Sequence, residues 1–536
     1  MAPQVNRAYS RRRRRGPSRA TIVKRRVGGL IASNALLIAA GFGIASLVGG
    51  GSKAAPVVTI SLQAPTGTPV VQVSRPLAGG NPVAPGFTGL SIEYTALTPY
   101  TGTHGVDPVF VRLIRNLNPG QAPSLRIGGD TTDWSWVPVS GMTKPAGIRY
   151  TITPSWLSSI AALTQALGAH VIFGVNLEAD NPTLAATEAK AFVNAVGHSS
   201  VGALELGNEP EVYGHLGWYT RNGKPVLGRP ASYSLTDYTS QFTRFAGGFP
   251  SGVPLAGPAT GSASWMNGLP AFLAAAPHKA IVTVHRYPLA RCFTTPGNPA
   301  YPTLAHLLSP AASIGLARSV ALAASAAHAH GALFRVDELN SISCRGKRGL
   351  SDTFASALWG LDTLFAMASV NVDGVNVHTL PASDYHPFAV TGSGSARTWS
   401  VDPLYYGMLM FSLAAPPGSH LLTISGSAAR QVRVWATRAP DGRTRVVLIN
   451  EYSRRTKYVR VAISGAHSPA ALTWLRAPSI LARHGITLGG QSFGASTSTG
   501  RLVGRSQRLD VAAVKGGYVM KLPPASAAML TVPAAR

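Results

Sequence analysis

Two glutamates in this chain each close an apolar strand and open onto a loop. Leu204-Glu205-Leu206-Gly207-Asn208-Glu209-Pro210 is an apolar run that delivers an Asn-Glu pair and stops at once on proline. Ala332-Leu333-Phe334-Arg335-Val336 is a second such run, and it delivers Asp337-Glu338 ahead of the loop from Asn340 to Gly349. Two carboxyl groups at two strand mouths are what glycosidic bond cleavage needs: one protonates the leaving oxygen and one attacks the sugar. Glu209 is the expected acid/base and Glu338 the expected nucleophile. Asp337 and Glu205 compete for these roles, but strand alternation puts Asp337 on the face opposite Glu338, and Glu205 lies deeper in its strand.

Other side chains close the same set of strands. Asn208 can donate to a sugar 2-hydroxyl. Tyr287 and Arg126 could each hold the nucleophile ionised, by hydrogen bond or by charge. Glu93 and Asp130 are candidate ligands of sugar hydroxyls, and His285 and His378 are expected to line the pocket. Trp134, Trp136 and Trp218 are either stacking platforms or ordinary packing. There is no His-Glu-x-x-His, no close Cys/His cluster and no phosphate-binding Gly-Lys-Ser/Thr loop. No Gly-x-Ser-x-Gly sits at a strand-to-helix turn. No metal and no cofactor is therefore expected.

The elements that must position these residues can be read as well. Eight apolar runs end in polar residues: 88–94, 124–128, 170–176, 203–207, 254–257, 280–285, 333–337 and 374–378. Helical patterns lie between most of them, including Pro154 to Leu167, Leu184 to Val196, and a helix capped by Ser351-Asp352 that runs to about Ser369. Eightfold strand–helix alternation predicts a (β/α)8 TIM barrel over residues 80–390. A doubly wound sheet fits less well, since no Gly-x-Gly-x-x-Gly opens a helix after a strand. After about Thr391 long helical patterns give way to short alternating runs and turn signals such as Pro440-Asp441-Gly442. Residues 54–79 and 391–536 are read as an accessory antiparallel β-sandwich.

The net charge is +27 in 536 residues, with only 13% charged side chains. Residues 1–53 contain eleven Lys or Arg and no Asp or Glu, and the remainder carries 37 basic against 21 acidic side chains. That balance favours anionic partners such as acidic polysaccharide or lipid headgroups; nucleic acid is not expected, because no basic run interleaved with aromatics comes after the leader. Val27 to Val48 is almost continuously apolar behind Lys24-Arg25-Arg26. Its 22 residues can span a bilayer, and the basic flank predicts export of the chain beyond it. A retained signal anchor and a cleaved signal peptide both fit, which puts the rest of the chain at the outer face of the membrane or free outside. In an exported protein the two cysteines, Cys292 and Cys344, are expected to form a disulfide that pins two loops beyond strands.

Several segments together resemble glycoside hydrolase family 79, which holds β-glucuronidases and heparanases. Leu204 to Tyr213 (LELGNEPEVY) is similar to its acid/base segment and Arg335 to Cys344 (RVDELNSISC) to its nucleophile segment. Ser351 to Trp359, Asp373 to Thr379 and Thr487 to Gly494 resemble later parts of bacterial and fungal members. The likeness runs from about Val57 to Val532. It implies retaining hydrolysis of a β-linked sugar, a glucuronide, with Glu209 as acid/base and Glu338 as nucleophile. Many members carry a Tyr and a Gly-rich run after the nucleophile to meet the uronate carboxylate. Here the stretch reads Ser343-Cys344-Arg345-Gly346-Lys347-Arg348-Gly349, so Arg345, Lys347 or Gly346 would take that role. The alternatives are a neutral-sugar β-glycosidase of the same barrel clan and a surface glycan-binding protein without activity.

Overall fold

The computed structural model describes residues 57–102, 105–276 and 279–534. The basic leader and the apolar run expected to span a membrane or act as a signal lie outside them. Among the described residues no helix is long and apolar enough to cross a membrane.

Eight parallel strands close a barrel in sequential order. They are β1 Thr88–Glu93, β2 Ser124–Gly128, β3 His170–Val175, β4 Val201–Leu206, β5 Leu255–Thr260, β6 Lys279–Arg286, β7 Leu333–Leu339 and β8 Gly374–Thr379. All eight coincide with the apolar runs, because strands buried on both faces carry near-continuous apolar sequence. Helices return the chain between strands, and several start on a side-chain cap with proline at the first turn. Thr153 accepts from the Trp156 amide (3.2 Å) and Asn181 from Leu184 (3.0 Å). The chemistry-bearing ends of all eight strands therefore meet at one mouth.

Two expectations need correction. The helix Phe354–Ser369 is not capped by Ser351-Asp352. Its N-cap residue, Thr353, makes no side-chain cap bond, and Asp352 turns instead to the Gly349 amide and Arg483. The helix's first amides donate to the carbonyls of Ala482 and Ile480 (both 2.8 Å). The barrel also does not end near residue 390. Pro403–Ala414 is its eighth helix, packed on Phe354–Ser369. That helix is buried almost all round, so its sequence has no polar face to mark it.

The accessory domain is one continuous curled sheet whose path runs from Val58–Ile60 at one end to Gly517–Leu522 at the other. It folds over at His420–Gly426, whose first residues pair with Val432–Arg438 and whose later residues pair with Val70–Pro76. The two halves then share an apolar core that includes Val71, Val461, Leu448 and Leu530. Most pairings are antiparallel, but Val58–Ile60 and Val70–Pro76 each join a neighbour in parallel. A second core crosses from the barrel into this sheet: Leu358, Phe365 and Met408 belong to the same cluster as Val447, Leu475 and Ala527.

Candidate active site

Arg126, on β2, is the centre around which the site is built. It is fully buried, and every arm of its guanidinium is engaged. Nε meets Glu205 (2.7 Å) and Asp337 (3.0 Å), one terminal nitrogen donates to Glu338 (2.8 Å) and Ser91 (3.2 Å), and the other donates to the Asn208 carbonyl (2.9 Å). A guanidinium only donates, so Asn208 must turn its oxygen to Arg126 and its amide NH2 elsewhere. That NH2 remains for a substrate hydroxyl.

Asp337 is not on the opposite face from Glu338. It is the extra residue of a β-bulge: against β6, Val284 pairs with Val336 and His285 with Glu338, leaving Asp337 unmatched. The pairing with β8 slips at the same place. A bulge breaks the two-residue alternation, so both carboxylates project into the barrel. Burial and then Glu205 push Asp337 well above the usual carboxylate range, and its acid proton bonds Glu205. Glu205, despite burial, is held low by Arg126 and by that bond. These two form a closed structural pair beneath the mouth.

Glu338 faces the pocket with 9% of its side chain exposed, and Glu209 with 32%. Tyr287 donates to Glu338 (2.7 Å). Having spent its one proton there, Tyr287 accepts from Nδ1 of His378 (2.9 Å), whose Nε2 lies 3.3 Å from Glu93. His378 therefore carries both protons. Burial opposes its charge, but Glu338 and Glu93 raise its pKa. Glu338 is thus held well below the usual range: burial alone would raise it, and His378, His285, Arg126 and the Tyr287 hydroxyl outweigh burial. Glu93 itself is committed to His378 and to the amide and hydroxyl of Thr131. Gly129, at φ 82°, sits against it, where a Cβ would run into the carboxylate.

Glu209 sits beyond the end of β4 in a left-handed conformation, φ 46° and ψ 53°. For a residue with a Cβ this strain costs about 1–3 kcal/mol and is typical of functional positions. It is held by its own amide, which donates to Ala259 (2.9 Å), and by Nδ1 of His285 on its carboxylate (2.9 Å). Burial and Arg126 work against charge on His285, but Glu338 and the Glu209 hydrogen bond bring its pKa up to about 9. A carboxylate oxygen of Glu209 lies within 4.8 Å of one of Glu338. Carboxylates this close suit the retaining arrangement, in which the two groups stand about 5–5.5 Å apart. Glu209, His285 and Glu338 are also the one group among the described residues spaced for a cation. Mutual charge pairing holds the three together, with His285 hydrogen-bonded to Glu209 and its charge facing Glu338.

The remaining expected residues divide. Asp130 opens the short turn beyond β2 and is exposed; partial withdrawal from water, then Glu93, Glu338 and Glu209, raise its pKa to about 7. Trp136 and Trp218 are packing residues in a satellite core with Ile148 and Leu184, while Trp134 is half-buried under the Arg149 guanidinium at 4.2 Å. In the loop after Glu338, the Gly346 amide is spent on Ile342 and the Lys347 ammonium on Pro302 and the Tyr301 ring. Arg345 is exposed, and its guanidinium has no partner among the described residues. Cys292 and Cys344 are bonded, with Cα atoms 6.1 Å apart.

Tyr385, Asp133 and Tyr213 were not foreseen. Tyr385, on a loop with no apolar pattern, accepts from the same Nδ1–H of His378 (2.8 Å). Asp133 accepts from the amides of Leu177, Glu178 and Asn208 and from the Tyr213 hydroxyl, so it fixes the backbone that carries Asn208-Glu209. Its place in a polar run just beyond β2 was the available signal.

No family model matches the chain. It is similar to a β-glucuronidase of Neurospora crassa, 25% identical over 445 residues that cover 73% of this chain and 77% of the relative. A β-glucuronidase of Aspergillus niger is 24% identical over 415 residues, covering 71% and 74%. Among solved structures, a 4-O-α-L-rhamnosyl-β-D-glucuronidase from Fusarium oxysporum superposes with a TM-score of 0.67 at 20% identity, covering 86% of this chain and all of that one. A family 51 arabinofuranosidase from Xanthomonas axonopodis pv. citri gives 0.60 at 16% identity, covering 87% and 100%.

Proposed function

We propose that the protein is an exported retaining β-glucuronidase, and the spacing of Glu209 and Glu338 carries the reading. Glu338, ionised by its neighbours, attacks the anomeric carbon as Glu209 delivers a proton to the leaving oxygen; Glu209 then takes a proton from water to release the sugar. The Glu209–His285 pair keeps a proton at the mouth for the first step. The Asn208 NH2 meets the 2-hydroxyl. Arg345 supplies a free guanidinium for a C6 carboxylate, which it can grip in bidentate fashion. Names of the relatives favour glucuronides, and the basic leader with its apolar run favours export and membrane attachment.

One observation favours a neutral sugar instead: Asp130 puts an exposed carboxyl group at the mouth, where it would repel a uronate. A panel of aryl β-glycosides decides. Turnover of the glucuronide with Glu338→Ala inactive, and rescued by azide as the α-glycosyl azide, is the expected result. Glu209→Ala should retain activity on good leaving groups and yield the β-azide. Preference for glucosides would select the neutral-sugar reading, and no turnover of any glycoside would leave a glycan-binding protein.

A further inference from the structure

The curled accessory sheet does not close on itself. Its two end strands, Val58–Ile60 and Gly517–Leu522, line opposite sides of an open seam, a cavity of about 650 Å³. This lies within the roughly 300–1,000 Å³ of small-molecule sites. The floor is the sandwich core itself: Leu472, Trp474, Val511 and Met520 are each under a tenth exposed yet face the cavity. At the lip, Val58 is 55% exposed. The rim is basic, with Arg476, Arg505, Arg508 and Lys521 all exposed. None of the four has an ion-pair partner among the described residues, and none of the lining residues is acidic. Asp510 alternates with Leu509 and Val511, which line the seam, so it points away. Arg476 lies over the Trp474 ring at 4.1 Å, at the border between floor and rim.

We propose that this seam binds an anionic amphiphile: a long acyl chain lying on the apolar floor, with its carboxylate or phosphate head among the rim arginines. An apolar floor gains from an acyl chain and nothing from a hydroxyl-rich polymer. No exposed aromatic ring is there to stack a sugar, since Trp474 is buried and already covered by Arg476. Four cations without a carboxylate partner select an anionic head over a neutral or zwitterionic one. The site is remote in sequence from the barrel mouth and shares no residue with it.

Dibromostearate tests this on the full-length chain, because bromine quenches an indole only at contact. The expected result is saturable quenching of a component that disappears in Trp474→Phe. Subtracting that variant removes binding anywhere else, including at the apolar run 27–48, which contains no tryptophan. The methyl ester of the same acid should bind about tenfold more weakly or worse, as should the acid to an Arg476→Glu/Arg508→Glu variant. Both arginines are exposed, so that variant keeps the fold, checked by circular dichroism. The proposal is overturned by absence of Trp474 quenching, as when the chain's own apolar run fills the seam. Equal affinity for acid and ester would overturn it too, as would displacement by polygalacturonate but not by stearate.

Discussion

Single residues decide how this site holds charge in a dry barrel. Arg126 offsets two ionised carboxylates, Glu205 and Glu338, while Asp337 stays neutral. Replacing it by Met strands those charges, so Arg126→Met should lose about 3–5 kcal/mol in urea unfolding. A loss below about 1 kcal/mol would show that water replaces the guanidinium. His285 gives a pH signature. Its pKa is about 9 in the folded protein against 6.5 when unfolded, so its contribution is complete below about pH 6.5 and is lost as pH rises through 9. Stability should fall by on the order of 3 kcal/mol across that window, and His285→Gln should flatten the decline. The same proton predicts an alkaline limb in kcat/KM near pH 9; activity unchanged well above that pH would remove His285 from the proton path. Glu209, Glu338, Asn208 and Tyr287 were legible because they sit at strand mouths, and Arg126 because it is a charge inside an apolar strand. Tyr385 was not, since only the folded loop brings it to His378.

At the scale of elements, the strands were the legible part and the departures from regularity were not. All eight barrel strands announce themselves by apolar runs. The bulge at Asp337 leaves no mark in sequence, yet it turns a structural carboxyl and a chemical one into the same cavity. The eighth helix escaped because it is wrapped on every side and shows no amphipathic period. The disulfide ties the strands Leu289–Ala290 and Ile342–Ser343, which pair beside the mouth. With the cysteines 52 positions apart in sequence, loop-closure entropy sets its worth at about 4 kcal/mol. Cys292→Ser/Cys344→Ser should lower unfolding stability by up to that amount and raise KM more than it lowers kcat, because it loosens the loop bearing Arg345. Unchanged KM would detach that loop from substrate binding.

For the whole molecule, barrel and accessory sheet behave as one body. The helix Phe354–Ser369 takes its cap from residues 480–482, Trp435 donates to buried Asp362 (2.7 Å), and one apolar cluster runs through both. Calorimetry should therefore show a single unfolding transition for residues beyond the leader. Two separated transitions would mean the shared core contributes little. A boundary at residue 390 was drawn from sequence because texture changes there, but texture reports local period and not which core a segment joins.

The accessory sheet also sets an order in time. The strand Ser526–Val532 lies in the interior of the sheet, between Thr444–Asn450 and Ala470–Arg476, while Val70–Pro76 precedes the barrel in the chain. A ribosome releases the first of these strands hundreds of residues before the last. No amount of early folding can complete the sheet, and the barrel helices that share its core wait with it. The sheet must therefore remain unfinished until residues 526–532 have been made, and its apolar strands depend on whatever shields them meanwhile.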